Sequence, residues 1–417
     1  MPITKRSTGS GSQRRDRGVR QLSDWLIDQG LLGGKITTVF ESYCQRLRDL
    51  GLPLWRAHIA MRTLHPSYGS QTFTWIERRG IETKAWANSR GGLPEFAASP
   101  FSWMLRQGLT SAHWRLSGAE GSREFALFDE LARGGATAYA AEIVQFADDG
   151  VIQGRTGMLA SYCTREASGF SEGDRKILSR LNKRLALTVK ALLNIDIARN
   201  ILDTYIGTEA GRRVLAGEIH QGYHTAIQTV IYFADIRGFT TLTERLPAFE
   251  LIPLLDLTME CMIKPVIEAG GHVLKFIGDG VLASFELTPS KQGRVTAAAL
   301  RAALAALSLM DEANAKRANS QVPAITFDVA LHVGEVLYGN VGAAERLDFT
   351  VIGPSVNEAS RIEALCDKHG VHLLMSDVFA RSLADSGGLR SIGEQSLRGS
   401  GRRRELFTWE DPLVPDR

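Results

Sequence analysis

The spacing of apolar side chains changes along the chain and predicts three kinds of segment. Between residues 21 and 170, short alternating runs predict strands, and runs with a spacing of three or four predict helices. The predicted strands are 54–64, 71–78, 138–146 and 157–163, and the predicted helices are 36–50, 98–107 and 124–133. In the second strand Phe73 and Trp75 share one face. This mixture indicates a small α+β domain.

A long helix is predicted over residues 171–205. It begins at Ser171, and Asp174 three positions later can complete a reciprocal cap. Steps of alternately three and four residues from Leu178 meet apolar side chains at six of eight positions, which is typical of a seam between two helices. The eight positions are Leu178, Leu181, Leu185, Thr188, Leu192, Ile195, Arg199 and Leu202. We expect a parallel dimeric coiled coil within 171–224, ending in a polar linker over 203–224. The alternative is a helix packed on its own domain.

Residues 225–412 follow the order strand, helix, hairpin, helix, hairpin, helix. The predicted strands are 226–236, 272–275, 281–285, 325–333 and 336–341, and the predicted helices are 246–269, 294–318 and 354–368. This order predicts an antiparallel sheet covered by helices, an α+β fold.

Composition limits the kind of protein without identifying its function. The chain has 417 residues, of which 44% are hydrophobic and 23% charged, so two or three globular domains are expected. No apolar run reaches the ~18 residues of a membrane span; the nearest, 297–310, is interrupted by Arg301. The four cysteines are far apart in sequence, and no secretory signal is visible, so we expect a cytoplasmic protein.

Charge is concentrated at the N-terminus. Residues 1–20 hold six basic residues and one acidic residue, a net +5 against +3 for the whole chain, which leaves −2 for the rest. The remainder of the chain is therefore not basic, and a nucleic-acid partner is not indicated. The Ser-, Gly- and Arg-rich segment 1–20 is predicted to be a disordered, solvated tail.

Two aspartates lie where the strands of the last segment end. Asp235 ends the strand at 226–236, and Asp279 lies between two glycines at a hairpin tip. Taken alone, such residues are more often capping or turn residues. Carboxylates on adjacent strands can, however, hold two Mg²⁺ or Mn²⁺ ions ~3.5–4 Å apart for phosphoryl or nucleotidyl transfer. Backbone N–H groups in the turn after Asp235, including those of Phe239 and Thr240, can face phosphate oxygens.

Three polar residues further along the chain could contact a nucleotide. Asn357 and Arg361 are four positions apart on one helix face, where an amide and a guanidinium can hold a ribose and a phosphate. Thr350, at a predicted strand end seven positions before Asn357, offers a hydroxyl.

Four motifs together resemble the catalytic domain of class III nucleotide cyclases. They are FADIRGFT, GGHVLKFIGDG, HVGEVLYGNVG and FTVIGPSVNEASR, in the family's order and spacing over about 226–412. The resemblance implies a ferredoxin-like α+β fold. It also implies that Asp235, Asp279 and the main-chain carbonyl of Ile236 hold two Mg²⁺ or Mn²⁺ ions per site.

The same resemblance implies roles for four nucleotide-binding residues. Lys275 and Thr350 would read the purine edge, Asn357 would orient the ribose, and Arg361 would stabilise charge on the α-phosphate. Adenine offers an acceptor at N1 and a donor at N6, which fits a lysine that only donates and a threonine that can accept. Guanylate-selective members carry Glu at the Lys275 position. Threonine at position 350 resembles the bacterial and soluble bicarbonate-responsive subgroup.

The expected activity is therefore adenylate cyclase, a phosphorus–oxygen lyase that forms cyclic AMP and pyrophosphate from ATP. A guanylate cyclase and a catalytically silent nucleotide-binding scaffold are the alternatives. The family divides its site between two protomers, which implies a homodimer. Family members often carry a lysine for the terminal phosphates, and Arg398 or Arg402 is the nearest substitute here, unless that arginine cluster is a solvated loop.

The order of elements in 21–170 resembles a GAF-type sensor domain. Another small α+β sensor or a purely structural module would show the same pattern. As a sensor it would bind a small-molecule or protein effector, whose chemistry the pattern leaves open.

Overall fold

Two units share the chain, and the boundary between them falls inside one long helix. They are Met1–Ile201 and Leu202–Arg417. The computed structural model describes residues 9–87, 94–118, 121–146, 157–319, 322–384, 387–397 and 403–410. Each unit has its own sheet and its own buried apolar core.

The first unit is built on a six-stranded antiparallel sheet of order β3-β2-β1-β6-β5-β4. Its strands are β1 (Arg56–Arg62), β2 (Tyr68–Ile76), β3 (Gly80–Ala87), β4 (Ser111–Arg115), β5 (Ala138–Gln145) and β6 (Gly157–Thr164). Its helices are α1 (Gly9–Leu32), α2 (Ile36–Asp49), α3 (Pro94–Ala97), α4 (Pro100–Arg106), α5 (Ala126–Arg133) and most of α6 (Glu172–Ile206). The sequence missed α1, β3 and β4 because their apolar positions are sparse. The resemblance to a GAF domain stays a prediction.

Alternation along β1 divides this sheet into two faces. Ala57, Ile59 and Met61 are buried in the core formed with α1, α2 and α6. Arg56 and His58 alternate with them and therefore lie on the opposite face. Residues of α4 and α5 form a second core on that opposite face.

The basic N-terminal segment is not the disordered tail that the sequence predicted for 1–20. Its first eight residues lie outside the described ranges, but α1 begins at Gly9. Val19 is buried, and Arg15 forms an ion pair with Asp174. Composition concealed this helix because a single narrow apolar stripe is enough to attach it to a core.

The long helix α6 uses its apolar stripe differently from the prediction. Five of the eight predicted seam positions are buried in the core of the first unit: Leu178, Leu181, Leu185, Thr188 and Leu192. The Thr188 hydroxyl donates to the carbonyl of Leu26 at 2.6 Å. A partner helix cannot use this part of the stripe, so the coiled-coil seam predicted there is wrong. Sequence periodicity cannot separate the two cases, because both require apolar residues at the same spacing.

The second unit contains an eight-stranded sheet of order β13-β14-β12-β10-β7-β9-β8, with β11 paired to β10. Its strands are β7 (His224–Ile236), β8 (His272–Ile277), β9 (Gly280–Glu286), β10 (Phe327–Ala343), β11 (Arg346–Ile352), β12 (Leu373–Ser376), β13 (Leu389–Ser396) and β14 (Arg403–Trp409). Its helices are α7 (Thr208–Leu215), α8 (Phe239–Arg245), α9 (Ala248–Glu268), α10 (Gln292–Lys316), α11 (Pro354–Glu363), α12 (Cys366–His369) and α13 (Asp377–Arg381). Only the β10–β12 pair is parallel among the strand pairs of the described residues.

Two predicted features of this unit differ from the structure. Strands 325–333 and 336–341 do not form a hairpin, because β10 runs straight through Gly334, which pairs with Thr229 on β7. The predicted polar linker contains α7, whose Ala210 is buried. Helix α10 is by length and composition apolar enough to cross a membrane, but in this structure its alanines belong to the core of the second unit.

The start of α6 is the reciprocal cap that the sequence predicted. The Ser171 N–H donates to Asp174 Oδ2 at 3.0 Å, and the Asp174 N–H donates to Ser171 Oγ at 3.1 Å. Burial raises the pKa of Asp174, but the hydrogen bonds from Ser171 and the charge of Arg15 outweigh it, so the pKa is lowered overall. A lowered folded-state pKa means that the carboxylate stabilises the fold above its unfolded pKa and loses this effect as pH falls.

We predict that Asp174→Asn lowers the free energy of unfolding of the first unit by ~1–3 kcal/mol at pH 7. The difference should narrow as pH falls below ~4, where the unfolded carboxyl protonates. Urea unfolding followed by tryptophan fluorescence measures it, since six of the seven tryptophans lie before residue 115. Asp129→Asn removes a largely exposed pair with Arg123 and serves as the control, with an expected change below ~1 kcal/mol. An equal effect of both variants at every pH would contradict the prediction.

Candidate functional site

Asp235 and Asp279 lie together where β7 meets β9. Asp235 is the next-to-last residue of β7, and Asp279 immediately precedes β9. A Cβ atom at Gly280 would lie 2.6 Å from Asp235 Oδ1 and 2.8 Å from the carbonyl oxygen of Ala234. The Asp235 carboxylate can therefore occupy this position only because residue 280 is a glycine.

Among the described residues, no basic side chain forms an ion pair with either carboxylate. Burial, and after it the negative charge of Asp279, raises the pKa of Asp235 to about 6. Burial also raises the pKa of Asp279. The N–H of Ile236 acts against both shifts by hydrogen bonding. A divalent cation would remove the repulsion, so the pair fits the metal site that the sequence predicted.

Protein ligands beyond this pair are few. In the described part of the chain no cluster of three or more His, Cys, Asp or Glu side chains could hold a metal ion. A cation at Asp235 and Asp279 would need further oxygen ligands from the Ile236 carbonyl, from water or from a substrate. Mg²⁺ bound by one or two carboxylates and substrate phosphates has this kind of coordination.

The sequence did not single out the residues that support this pair. Arg237 makes a bidentate ion pair with the buried Asp328, at 2.9 and 2.7 Å, and donates to the carbonyl of Val371. Burial, followed by the charge of Asp235, raises the pKa of Glu363 to about 8. Both residues stand inside or beside the motifs, Arg237 two positions after Asp235 and Glu363 two after Arg361, which was the only sequence signal for them.

A residue that the sequence did not predict, Asp348, connects Lys275 on β8 to β11, the strand of Thr350. Lys275 Nζ is 3.4 Å from Asp348 Oδ2. Thr350 stands two positions after Asp348 on β11, and its buried hydroxyl oxygen has no hydrogen-bond partner. A buried hydroxyl without a partner is costly, so a ligand that bonds to it would be favoured.

Asn357 and Arg361 lie one turn apart on α11, whose opposite face buries Ala359 and Ile362. Among the described residues neither side chain has a hydrogen-bond or ion-pair partner, so an amide and a guanidinium are available to a ligand.

Charged contacts with residues of β14 and β10 hold α11 in place. Glu358, next to Asn357, forms an ion pair with Arg404 on β14. Arg404 also lies 3.3 Å from Asp377, and the buried His332 lies 3.8 Å from Glu358. Arg404 is therefore committed to α11. The predicted phosphate ligands Arg398 and Arg402 lie outside the described residues.

The turn after β7 agrees only in part with the predicted phosphate contacts. The Arg237 N–H donates to the carbonyl of Thr326 at 3.0 Å and is not available to a phosphate. Helix α8 begins at Phe239, whose side chain packs on the apolar core, so only its backbone can face a ligand. Thr240 is exposed.

The predicted site residues thus form separate groups within one chain. No positive charge contributes to the pKa of Asp235 or of Asp279, although Lys275 and Arg361 belong to the same unit. Among the described residues no ion pair joins Asp235 or Asp279 to Lys275 or Arg361.

Comparison with known proteins identifies the C-terminal segment. Residues 223–409 match the family described as the adenylate and guanylate cyclase catalytic domain. An adenylate cyclase of Anabaena cylindrica is 34% identical over 198 residues, which are 46% of this chain and 38% of that protein. Adenylate cyclase 1 of Rhizobium meliloti is 29% identical over 175 residues, 42% of this chain and 26% of that protein. The chain therefore spans well under half the length of these relatives.

Two solved structures are similar to different shares of this chain. The adenylyl cyclase CyaB from P. aeruginosa is 28% identical with a TM-score of 0.41, covering 45% of this chain and 96% of that chain. A bacterial light-regulated adenylyl cyclase is 20% identical with a TM-score of 0.46, covering 72% of this chain and 93% of that chain.

We predict that Gly280→Ala weakens Mn²⁺ binding at least ~10-fold, because the new methyl group would displace the Asp235 carboxylate. The free Mn²⁺ signal in electron paramagnetic resonance measures the affinity. Gly270→Ala is the control: its Cβ meets no atom within 4 Å, and its positive φ costs ~1–2 kcal/mol of stability without touching the carboxylates. Equal Mn²⁺ affinities for the two variants would show that Gly280 is not required for the carboxylate pair.

Proposed function

Residues 223–409 belong to the adenylate and guanylate cyclase catalytic-domain family, and on that premise we propose that the chain is an adenylate cyclase. The reaction is attack of the ribose 3′ oxygen of ATP on the α-phosphorus. The P–O bond to the β-phosphate breaks, and cyclic AMP and pyrophosphate form. The single observation that carries this proposal is the pair of unneutralised carboxylates, Asp235 and Asp279, beside a main chain that can also supply oxygen ligands.

Asp235, Asp279 and the Ile236 carbonyl would hold two divalent cations, Mg²⁺ or Mn²⁺. When bound, these ions supply charge neutralisation at the phosphates and lower the pKa of the 3′ hydroxyl. Asn357 would hold the ribose by hydrogen bonds, and Arg361 would stabilise the charge that develops on the α-phosphate. Neither side chain has a partner among the described residues, which supports this use of both.

The preference for adenine over guanine rests on Lys275 and Thr350. The Lys275 ammonium lies 3.4 Å from Asp348 Oδ2, and a lysine side chain can only donate. The buried Thr350 hydroxyl can accept from the exocyclic amine of adenine. Guanine presents the reverse edge and would leave both groups mismatched.

Assembly of the site requires a second copy of the chain. The apolar side chains exposed on the second unit include Phe249, Ile252, Phe276, Ile277, Leu337, Val341 and Ile352. Phe276 adjoins Lys275 along β8, and Ile352 follows Thr350 on β11. Exposed apolar residues beside ligand-binding groups are typical of a protein interface. A homodimer burying them would place the carboxylates of one copy opposite Asn357 and Arg361 of the other.

We predict that the purified chain forms cyclic AMP from ATP with Mg²⁺ or Mn²⁺, and that Asp235→Ala and Asp279→Ala each lower turnover at least ~100-fold. Cyclic nucleotide formation is measured with ATP and with GTP side by side. Asp256→Ala changes an exposed aspartate on α9 and should keep wild-type turnover. Faster turnover of GTP would identify a guanylate cyclase. A folded wild-type chain inactive with both nucleotides would favour the silent scaffold.

We further predict that two inactive variants restore activity together. Asp235→Ala and Arg361→Ala, co-expressed, form mixed dimers in which one site carries both changes and the other carries none. Random pairing should recover roughly a quarter of wild-type activity. Differently tagged chains allow the mixed dimers to be purified before the assay. Purified mixed dimers without activity would show that each site lies within one chain.

A further inference from the structure

A cavity of about 730 Å³ lies on the face of the first sheet that is turned away from α1, α2 and α6. Its floor is formed by β1, β2, β5 and β6, and it is bordered by residues of α3, α4 and α5. Most of the lining is apolar and comes from Phe96, Phe101, Leu105, Leu127, Ile143 and Leu159. Size and lining are those of a small-molecule pocket rather than of a packing defect.

A few polar groups converge on the floor of this cavity. Arg56, His58, Tyr139 and Ser161 all line it. His58 Nδ1 is 2.8 Å from the Thr74 hydroxyl. The buried Tyr139 hydroxyl makes no hydrogen bond, although Ser161 is adjacent. The Tyr139 hydroxyl is itself enclosed by protein atoms, so Arg56 is the polar group of this set with a charge to offer a ligand.

The charge of Arg56 is not neutralised inside the cavity. In the described ranges no carboxylate lies within 4 Å of its guanidinium. Burial, followed by the charge of Arg56, lowers the pKa of His58 to about 3, and burial raises the pKa of Cys163 to about 11. Burial also raises the pKa of Tyr139 above its usual range. His58 and Tyr139, which line the cavity, are therefore neutral near pH 7. Three charged residues line it: Arg62 and Glu95 are exposed, and Arg56 is partly buried on the floor.

We propose that this cavity binds a small organic monoanion, an aromatic or aliphatic carboxylate or sulfonate whose anionic group contacts the Arg56 guanidinium. The apolar body of the ligand fills the space between the sheet and the three helices. A half-buried guanidinium without a counterion gains more from an anion than an exposed one, because less water competes for it. Binding here is independent of the chemistry of the second unit.

Two fluorescent probes with related aromatic bodies test the charge. 8-Anilinonaphthalene-1-sulfonate is a monoanion, and N-phenyl-1-naphthylamine has the same aromatic body without the sulfonate. Dissociation constants are measured by titration of the full chain without nucleotide. Arg56→Gln should raise the dissociation constant of the anionic probe at least ~10-fold and that of the neutral probe less than ~3-fold. Arg115→Gln, an exposed arginine on β4 outside this lining, should change neither.

Two more variants guard against a folding artefact. Tyr139→Phe removes an enclosed hydroxyl that has no partner, so the fold and the affinity for both probes should be unaffected. Ala60→Phe fills the cavity from β1 and should exclude both probes. Near-UV circular dichroism verifies native packing in each variant.

Several outcomes would overturn the proposal. One is the absence of saturable binding of the anionic probe to the wild-type chain. Another is an equal loss of affinity for both probes in Arg56→Gln. The third is wild-type affinity for the anionic probe in a natively packed Ala60→Phe variant.

Discussion

The repulsion between Asp235 and Asp279 is the constraint on which the second unit depends. A fold that brings two carboxylates together without a cation gives up stability, and burial adds to the cost. The surrounding structure maintains the arrangement. Gly280 leaves room for the Asp235 carboxylate, and the bidentate Arg237–Asp328 pair fixes the turn that follows β7. A bound divalent cation would remove this repulsion, and the free energy so released would contribute to its affinity.

A second set of charges holds helix α11 in place. Helix α11 exposes Asn357 toward a ligand, and the Glu358 beside it forms an ion pair with Arg404 on the C-terminal strand. The buried His332 and Ser376 extend this network across β10 and β12. The carboxylate pair lacks a cation, whereas these charges satisfy one another, so the two networks serve different purposes. One is open to a ligand, and the other fixes the position of the groups that meet it.

The first unit contains a positive charge without an ion-pair partner among the described residues, the Arg56 guanidinium. Arg56 is partly buried in a mostly apolar cavity beside a neutral His58, and the other charged residues of the lining, Arg62 and Glu95, are exposed. In both units, therefore, the described structure leaves one charged feature without compensation inside a concave, partly buried site. Charges left in this way are expected where a ligand completes the electrostatics.

The sequence by itself predicted most elements of the first unit and about half of those of the second. Asp235, Asp279, Thr350, Asn357 and Arg361 were singled out by glycine turns, strand ends and short spacings, which are local properties of the chain, whereas Lys275 and the proposed roles of all six came from the family resemblance. Local patterns could not decide what covers an apolar stripe, which is why the α6 seam was assigned to a partner helix and α1 was missed. They also could not find Asp348, Glu363 or the cavity above Arg56, since each depends on strands and helices distant in sequence. The tertiary structure decided these points because burial and charge compensation are set by neighbours in space.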